Sequence, residues 1–237
     1  MRWQGAFFDG RVKMVKPGED LPEHISAPRK GHRPSYPNGF ISSWAADLFP
    51  EGYKGHAIDV GASDGISISS TYVLEKWAGW HVLCVEANPF FKPFLKQSRM
   101  FVEMCACGAE PMDEATFYVN EVRPEAWSAL QITPGFRERA KVLKTKGEGV
   151  EWSSHKVRVD TVDRLLTKWG FPKLDVLFVD VEGHETAVLQ GAALDKWKPK
   201  AMVVENWKAG FTDDYLKGFG YKRVARSVDN DFYVRND

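Results

Sequence analysis

No excess charge of either sign marks this sequence: 32 basic side chains balance 32 acidic ones, for a formal net charge of zero. A protein built to wrap nucleic acid or to sit on an anionic membrane carries a basic surplus, so charge gives no case for either partner. Cysteine is scarce, with three residues, Cys84, Cys105 and Cys107. An odd count argues against a disulfide framework, and all three fall in or beside apolar strand-like runs, as buried reduced thiols do. Cys105-Ala106-Cys107 has no second cluster to complete a zinc site. No run reaches the roughly 18 apolar residues of a membrane span. Met1–Asp9 lacks the apolar core of a secretion signal. A cytoplasmic protein is expected. There is no internal repeat and no low-complexity linker, so residues 1–237 read as one domain.

What is present is an ordinary globular composition, 43% hydrophobic and 27% charged, with a high count of nine tryptophans. The chain is organised around His56-Ala57-Ile58-Asp59-Val60-Gly61-Ala62-Ser63-Asp64-Gly65. This reads as a short apolar strand, an acidic residue and a small-residue turn, then a helix over about Ile66 to Trp77. Glycine and alanine in the turn let a ligand approach the backbone closely. Asp59 and Asp64 oppose a pyrophosphate at that place. A ligand with a cation and hydroxyl groups suits them better, and S-adenosylmethionine has both. Taken alone, the stretch has as its alternative a structural turn of an α/β domain.

Further apolar runs follow. Trp80–Val85 is a strand ending at Glu86, and Asn88-Pro89 opens a helix over about Phe90 to Ser98. Strands are expected at Phe101–Cys105 and Ala115–Asn120. From Glu121 to about Ser154 the pattern weakens, and Arg123, Arg137, Arg139, Lys141, Lys144 and Lys146 make it basic. This segment reads as a partly helical insertion over a site mouth. Val157–Val159 leads to a helix over Val162–Trp169, capped by Asp160 or Thr161. Leu174–Val179 is a buried strand ending in Asp180-Val181-Glu182-Gly183-His184-Glu185, with a helix over about Glu185 to Gln190. Ala201–Val204 ends in Glu205-Asn206-Trp207. Tyr221–Val224 and Asp231–Val234 can form an antiparallel edge hairpin. The fold class is therefore α/β, a doubly wound and mostly parallel sheet with an antiparallel edge hairpin.

Four expected strands thus end in an acid or its turn: Asp59, Glu86, Asp180 and Glu205. Ligands of open parallel sheets sit outside those carboxyl ends. Four acids on one edge repel one another unless a cationic ligand, a metal or basic side chains sit among them.

The segments Ile58–Gly65, Val85-Glu86-Ala87-Asn88-Pro89, Val159–Asp163 and above all Asp175–Glu185 resemble the FkbM family of S-adenosylmethionine-dependent methyltransferases. The resemblance covers roughly residues 55 to 207, in order. It implies a Rossmann-like class I methyltransferase fold and O-methylation of a hydroxyl on a sugar, a glycan or a secondary metabolite. It also implies that Gly61, Ala62, Ser63 and Gly65, with Asp59 beside them, wrap the methionine end of the cofactor. Glu86 would bind both ribose hydroxyls, with Ala87 and Asn88 lining the same pocket. Cys105 and Ala106 would flank the adenine, and Asp180 would lie near the sulfonium or the amino group. Asp180, Glu182, His184 and Glu185 are the candidates to take the hydroxyl proton. Asp180 with Glu205 and Asn206 resembles the magnesium arrangement of catechol-type O-methyltransferases, which makes a divalent metal a second candidate cofactor.

Two rival readings stand beside this one. A nucleotide-dependent oxidoreductase is disfavoured, because the turn lacks the third spaced glycine and carries Asp64. The other is a cofactor-fold scaffold without activity. The N-terminal residues 1–55, broken by Pro17, Pro22, Pro28, Pro34 and Pro37, read as an irregular segment or lid, with Arg29, Lys30, His32 and Arg33 as a basic cluster. Only Ile41–Phe49 looks helical there. Trp127, Trp152 and Trp207 are candidate platforms for a sugar or planar ring.

Overall fold

The computed structural model of the protein describes residues 13–14, 39–124, 126–145, 150–205, 211–227 and 230–236. In chain order its strands and helices are β1 (Lys13–Met14), α1 (Gly39–Asp47), β2 (His56–Val60), α2 (Tyr72–Lys76), β3 (His81–Glu86), α3 (Lys92–Ser98), β4 (Phe101–Met104), β5 (Ala106–Cys107), β6 (Met112–Asn120) and α4 (Pro134–Thr145). The second half adds β7 (Trp152–Asp160), α5 (Val162–Lys168), β8 (Val176–Val179), α6 (Glu185–Gln190), α7 (Leu194–Trp197), β9 (Ala201–Glu205), α8 (Phe211–Lys217), β10 (Tyr221–Arg226) and β11 (Asn230–Arg235). A short 3-10 turn, Pro89–Phe91, precedes α3.

An eight-stranded sheet runs in the order β1-β10-β11-β9-β8-β2-β3-β4. The five strands β9, β8, β2, β3 and β4 are mutually parallel. β11 joins β9 antiparallel, β10 joins β11 as a hairpin, and β1 closes the edge. Alternation along the strands divides the core into two layers. Ile58, Val60, Leu177, Val179 and Val204 face α5 and α6, while Ala57, Val176, Phe178 and Val203 face α1, α2 and α3. Each strand is apolar on both faces because helices cover both, which is why these runs are nearly continuous in the sequence.

A second sheet, β5-β7-β6, stands apart from the first. The expected strand Phe101–Cys105 is cut at Met104: β4 pairs with β3, but Ala106 already pairs with Val159 of β7. Cys105 is the joint. β7 starts at Trp152 rather than Val157, so part of the expected insertion is strand. Glu103 of β4 ties the sheets together by accepting from Arg158 of β7 (2.7 Å), from Lys168 (2.7 Å) and from the indole N–H of Trp169 (3.0 Å).

One helical expectation changes and one open choice is decided. The helix expected from Ile66 forms only at Tyr72, because side chains intercept the intervening N–H groups. Asp64 Oδ1 accepts from Ile66 and Ser67 at 2.8 Å each, and Ser69 Oγ accepts from Thr71 and Tyr72. At α5 it is Thr161 that caps, its hydroxyl accepting from Arg164 N at 3.2 Å. Residues 1–12 and 15–38, with the Arg29, Lys30, His32 and Arg33 cluster, lie outside the described residues, as do Lys146, Asn206 and Trp207.

Candidate active site

The turn after β2 is held by main-chain bonds from two sides. Gly61 and Ala62 donate to the Val85 carbonyl at 2.9 and 3.1 Å, and Asp180 N donates to the Val60 carbonyl at 2.9 Å. Gly61 has φ +92°, and a Cβ there would overlap the Asp180 carbonyl oxygen. Gly65 has φ +78°, and its Cβ would come within 2.7 Å of Leu95, Ser98 and Arg99 on the α3 side. Ser63 sits between them, also in the left-handed region (φ +51°). This strained backbone turns the Ser63 N–H onto Glu86 Oε2 at 2.7 Å.

Glu86 ends β3 and is 7% exposed. Its other oxygen accepts from Asn88 N at 2.6 Å, so the carboxylate bridges the loops after β2 and β3. Burial pushes its pKa up to about 7, against the opposing pull of the N–H groups of Asn88, Ser63 and Ala87. Asn88 itself caps the 3-10 turn through Phe90 N and donates to the Pro124 carbonyl at 3.1 Å.

A cavity of about 290 Å³ opens at the carboxyl ends of these strands. Gly61, Ser63, Glu86, Ala87, Asn88, Cys105, Ala106, Asp180, Glu182 and His184 all line it, so ten of the residues singled out from the sequence meet in one place. Glu205 and Asn230 line its far side, and Pro124, Ala126, Ser128 and Leu130 form a wall that the sequence marked only as an insertion over a mouth. Asp59, Ala62, Gly65 and Glu185 are not on its surface.

Asp59 turns the other way. As the residue before Val60 it shares the strand face of Ala57, so it points under α2 rather than into the cavity. Its Oδ2 accepts from Thr71 Oγ1 at 2.5 Å and from Ser69 Oγ at 3.4 Å. Burial raises its pKa, and the positive charge of Arg99 works against that rise. Arg99 is the hub that sequence reasoning missed. It is buried, its Nε meets Glu75 Oε2 at 2.8 Å, and its other nitrogens reach the Gly65 carbonyl, Ser69 and Thr71. Asp64 likewise spends its carboxylate on Ile66, Ser67 N and Ser67 Oγ. The two acids that bracket the turn in sequence therefore shape it from outside the cavity.

The turn after β8 is equally contorted, with Glu182 at φ +57° and Gly183 at φ +97°. Glu182 Oε1 accepts from Trp127 N at 2.8 Å, and Glu182 N donates to Glu205 Oε2 at 3.1 Å. Glu185 Oε1 accepts from Gly183 N at 2.8 Å and Val181 N at 3.4 Å. Burial raises the Glu185 pKa, and the N–H groups of Gly183 and Val181 pull against that rise. Desolvation alone lowers the His184 pKa, so the imidazole lining the cavity stays neutral at pH 7. It is a competent proton acceptor in that form.

Of the expected magnesium arrangement, Asp180 and Glu205 are among the described residues and Asn206 is not. Among the described residues no group of three or more His, Cys, Asp or Glu side chains is placed to hold a metal ion. One oxygen of Glu205 already takes the Glu182 N–H, a donor that competes with a cation for that lone pair. Trp127 and Trp152 are packing residues: Trp127 stacks edge-on against Phe136 at 5.4 Å, and Trp152 Nε1 donates to the Trp127 carbonyl at 2.8 Å.

A mostly parallel, doubly wound sheet with an antiparallel edge pair and a cavity at its carboxyl ends is the class I methyltransferase architecture. The profile of the methyltransferase FkbM domain matches residues 59–223, and the chain belongs to that family. Its fold is similar to that of the methyltransferase FkbM from Methylobacillus flagellatus KT, with a TM-score of 0.50 and 16% identity over 80% of this chain. The alignment spans 45% of that protein, less than half its length. A METTL16 methyltransferase domain aligns with a TM-score of 0.44 and 12% identity, over 85% of this chain and 68% of its own. No curated protein matches the sequence.

Proposed function

We propose that this chain is an S-adenosylmethionine-dependent O-methyltransferase, a single domain acting in the cytoplasm on a hydroxyl of a small molecule, a sugar or a secondary metabolite. The observation that carries the reading is Glu86, a buried carboxylate at the end of β3 on the wall of the cavity, bridged to the glycine turn through Ser63. A carboxylate there accepts from ribose hydroxyls, and the main chain of Gly61 and Ser63 lines the cavity where the methionine end would lie. Cys105 and Ala106 supply the apolar wall for the adenine.

In the reaction the acceptor oxygen forms a bond to the methyl carbon as the sulfur–carbon bond breaks. The sulfonium becomes a neutral thioether, and the hydroxyl proton leaves to a base. Alignment of oxygen, carbon and sulfur is the main contribution of the protein. His184 and Asp180, which both line the cavity, are the bases this reading assigns to the proton, and the lowered His184 pKa supports that choice.

Calorimetry with S-adenosylmethionine, S-adenosylhomocysteine and NAD tests the reading. Binding of the first two is expected, and Glu86→Ala should weaken both at least about tenfold, the equivalent of 1.4 kcal/mol. Binding of NAD alone would overturn it. Transfer of labelled methyl to a hydroxyl compound then separates an enzyme from a scaffold.

A further inference from the structure

The helical stretch after β3 turns two phenylalanines outward. Pro89–Phe91 forms the 3-10 turn and Lys92–Ser98 forms α3, with Phe91 and Leu95 buried beneath them. Phe90 and Phe94, four residues apart, are 51% and 50% exposed, and their ring centroids lie 5.6 Å from each other. A single exposed phenylalanine is ordinary. Two in ring contact make a patch that is costly in water until something covers it.

The zero net charge of the chain is not spread evenly around this patch. Between Glu86 and Glu103 the sequence has no acidic residue, but it has Lys92, Lys96 and Arg99. Arg99 points inward to Glu75. Lys92 and Lys96 are exposed, and among the described residues neither forms an ion pair. The acids tied to this helix are engaged elsewhere. Asp64, whose carbonyl takes the Ser98 hydroxyl, gives its carboxylate to Ile66 and Ser67, and Glu75 pairs with Arg99 and Lys76. The face therefore presents two phenyl rings and, on a second i, i+4 row, two free ammonium groups.

Its position is fixed at the rim of the cavity. Phe91, the neighbour of both Phe90 and Lys92, lines the cavity. Asn88 holds Phe90 N through its side-chain oxygen and donates to the Pro124 carbonyl of the cavity wall.

We infer that this face, Phe90 and Phe94 with Lys92 and Lys96, is a docking surface for an anionic phospholipid bilayer. The exposed side chains of the stretch are two phenylalanines, two prolines, two lysines and Gln97. Seven residues fall well short of the roughly 20–30 a side of a stable protein interface. Only Gln97 among them can both donate and accept, so the face has little with which to recognise a folded partner. A fluid surface asks for no such pairing. The rings enter the boundary between headgroups and acyl chains, while the lysine stems carry their ammonium groups up to the lipid phosphates. Docking in this way holds the Phe91 wall of the cavity against the membrane surface. The inference stands apart from the methyltransferase reading, because no step of it uses the cofactor.

The test is co-sedimentation of the full chain with vesicles of phosphatidylcholine alone and of phosphatidylcholine with about 30% phosphatidylserine, which supplies the negative surface potential. Retention is expected on the second and not on the first. Raising the salt from about 0.05 to about 0.5 M should release the protein, because screening shortens the reach of the lysines. Phe90→Ser with Phe94→Ser, and separately Lys92→Glu with Lys96→Glu, should each lower the partition coefficient at least about tenfold. Phe94→Trp keeps a ring in place, and its added emission should be quenched by brominated phospholipid in the anionic vesicles. Absence of retention on anionic vesicles, equal retention on both kinds, or unchanged retention in both double variants would overturn the inference. So would self-association of the unmodified chain that the serine variant abolishes, since the face would then be an interface between copies. Affinity for S-adenosylhomocysteine should be the same in all these variants, so the methyltransferase reading is tested separately.

Discussion

The α-carbon of Gly61 lies against the main-chain carbonyl of Asp180, so close that a methyl group on it would overlap the oxygen. The contact locks the turn after β2 to the turn after β8, two loops that both line the cavity. Gly61→Ala must push these loops apart and also hold alanine at a positive φ. It should cost about 1–3 kcal/mol from the backbone alone, with the overlap adding to it. Thermal unfolding will read the loss of stability, and calorimetry a loss of cofactor affinity larger than stability alone explains. Full affinity in a folded Gly61→Ala protein would show that the two turns move independently.

Glu86 predicts a pH dependence. Its folded pKa is raised to about 7 by burial, above the ordinary glutamate value. For stability the sign follows from linkage. Between the unfolded and folded pKa values the native state holds the extra proton, so the stability it contributes is present at acid pH and lost as pH rises through about 7. Cofactor binding has the opposite slope. Ribose hydroxyls donate to the ionised form, so affinity for S-adenosylhomocysteine should rise between pH 6 and 8, about one unit either side of neutrality, with a proton released on binding. Calorimetry in buffers of different ionisation enthalpy measures that proton. Glu86→Gln should bind more weakly and without the slope.

Arg99 makes the sharpest stability prediction. Its guanidinium sits among Glu75, Ser69, Thr71 and the Gly65 carbonyl, and its charge steadies buried Asp59. Arg99→Met leaves these acceptors buried without their cation, at a cost of about 3–5 kcal/mol. Asp59 then rises further in pKa, so the deficit should shrink as pH falls and Asp59 protonates. Urea denaturation at neutral and acid pH checks both statements. A second change, Asp59→Asn, should recover part of the loss.

Glu182 is a latch before it is anything else. Its carboxylate takes the Trp127 N–H at 2.8 Å and so fastens the 126–130 wall to the β8 turn. Glu182→Ala removes a bond to a charged acceptor, about 1.5–3 kcal/mol, and amide exchange at Trp127 should quicken roughly ten- to a hundredfold. Unchanged exchange would mean the wall is held by the Trp127–Phe136–Trp152 packing instead.

The sequence made the parallel strands legible because each is buried on both faces, and Val176–Val179 or Ala201–Val204 leaves no other reading. The strand-end acids were legible as a set. Their directions were not, although the alternation of a strand already puts Asp59 on the face opposite Ile58 and Val60. Arg99 was invisible, since one arginine after a helix reads as a solvated end, and only the fold brings Glu75 and Thr71 to it. The delayed start of α2 was hidden for a similar reason: Asp64 and Ser69 compete with the helix through local bonds that no hydrophobic period records. The break at Cys105 could not be read from an apolar run that continues through it into a different sheet.

The strand order also separates the lining of the cavity along the chain. Gly61, Ser63, Glu86, Cys105 and Ala106 come from the span between Val60 and Cys107, while Asp180, Glu182, His184, Glu205 and Asn230 come from the span between Asp180 and Asn230. The two spans meet through main-chain contacts such as Asp180 N to the Val60 carbonyl and through shared core packing of Val60, Val85 and Cys105 with Val188, Leu189 and Val204, so a graft must keep those apolar side chains. The C-terminal span is therefore a natural unit for grafting. Chimeras that exchange it between members of the family should inherit the donor's taste in acceptor and the recipient's hold on the cofactor.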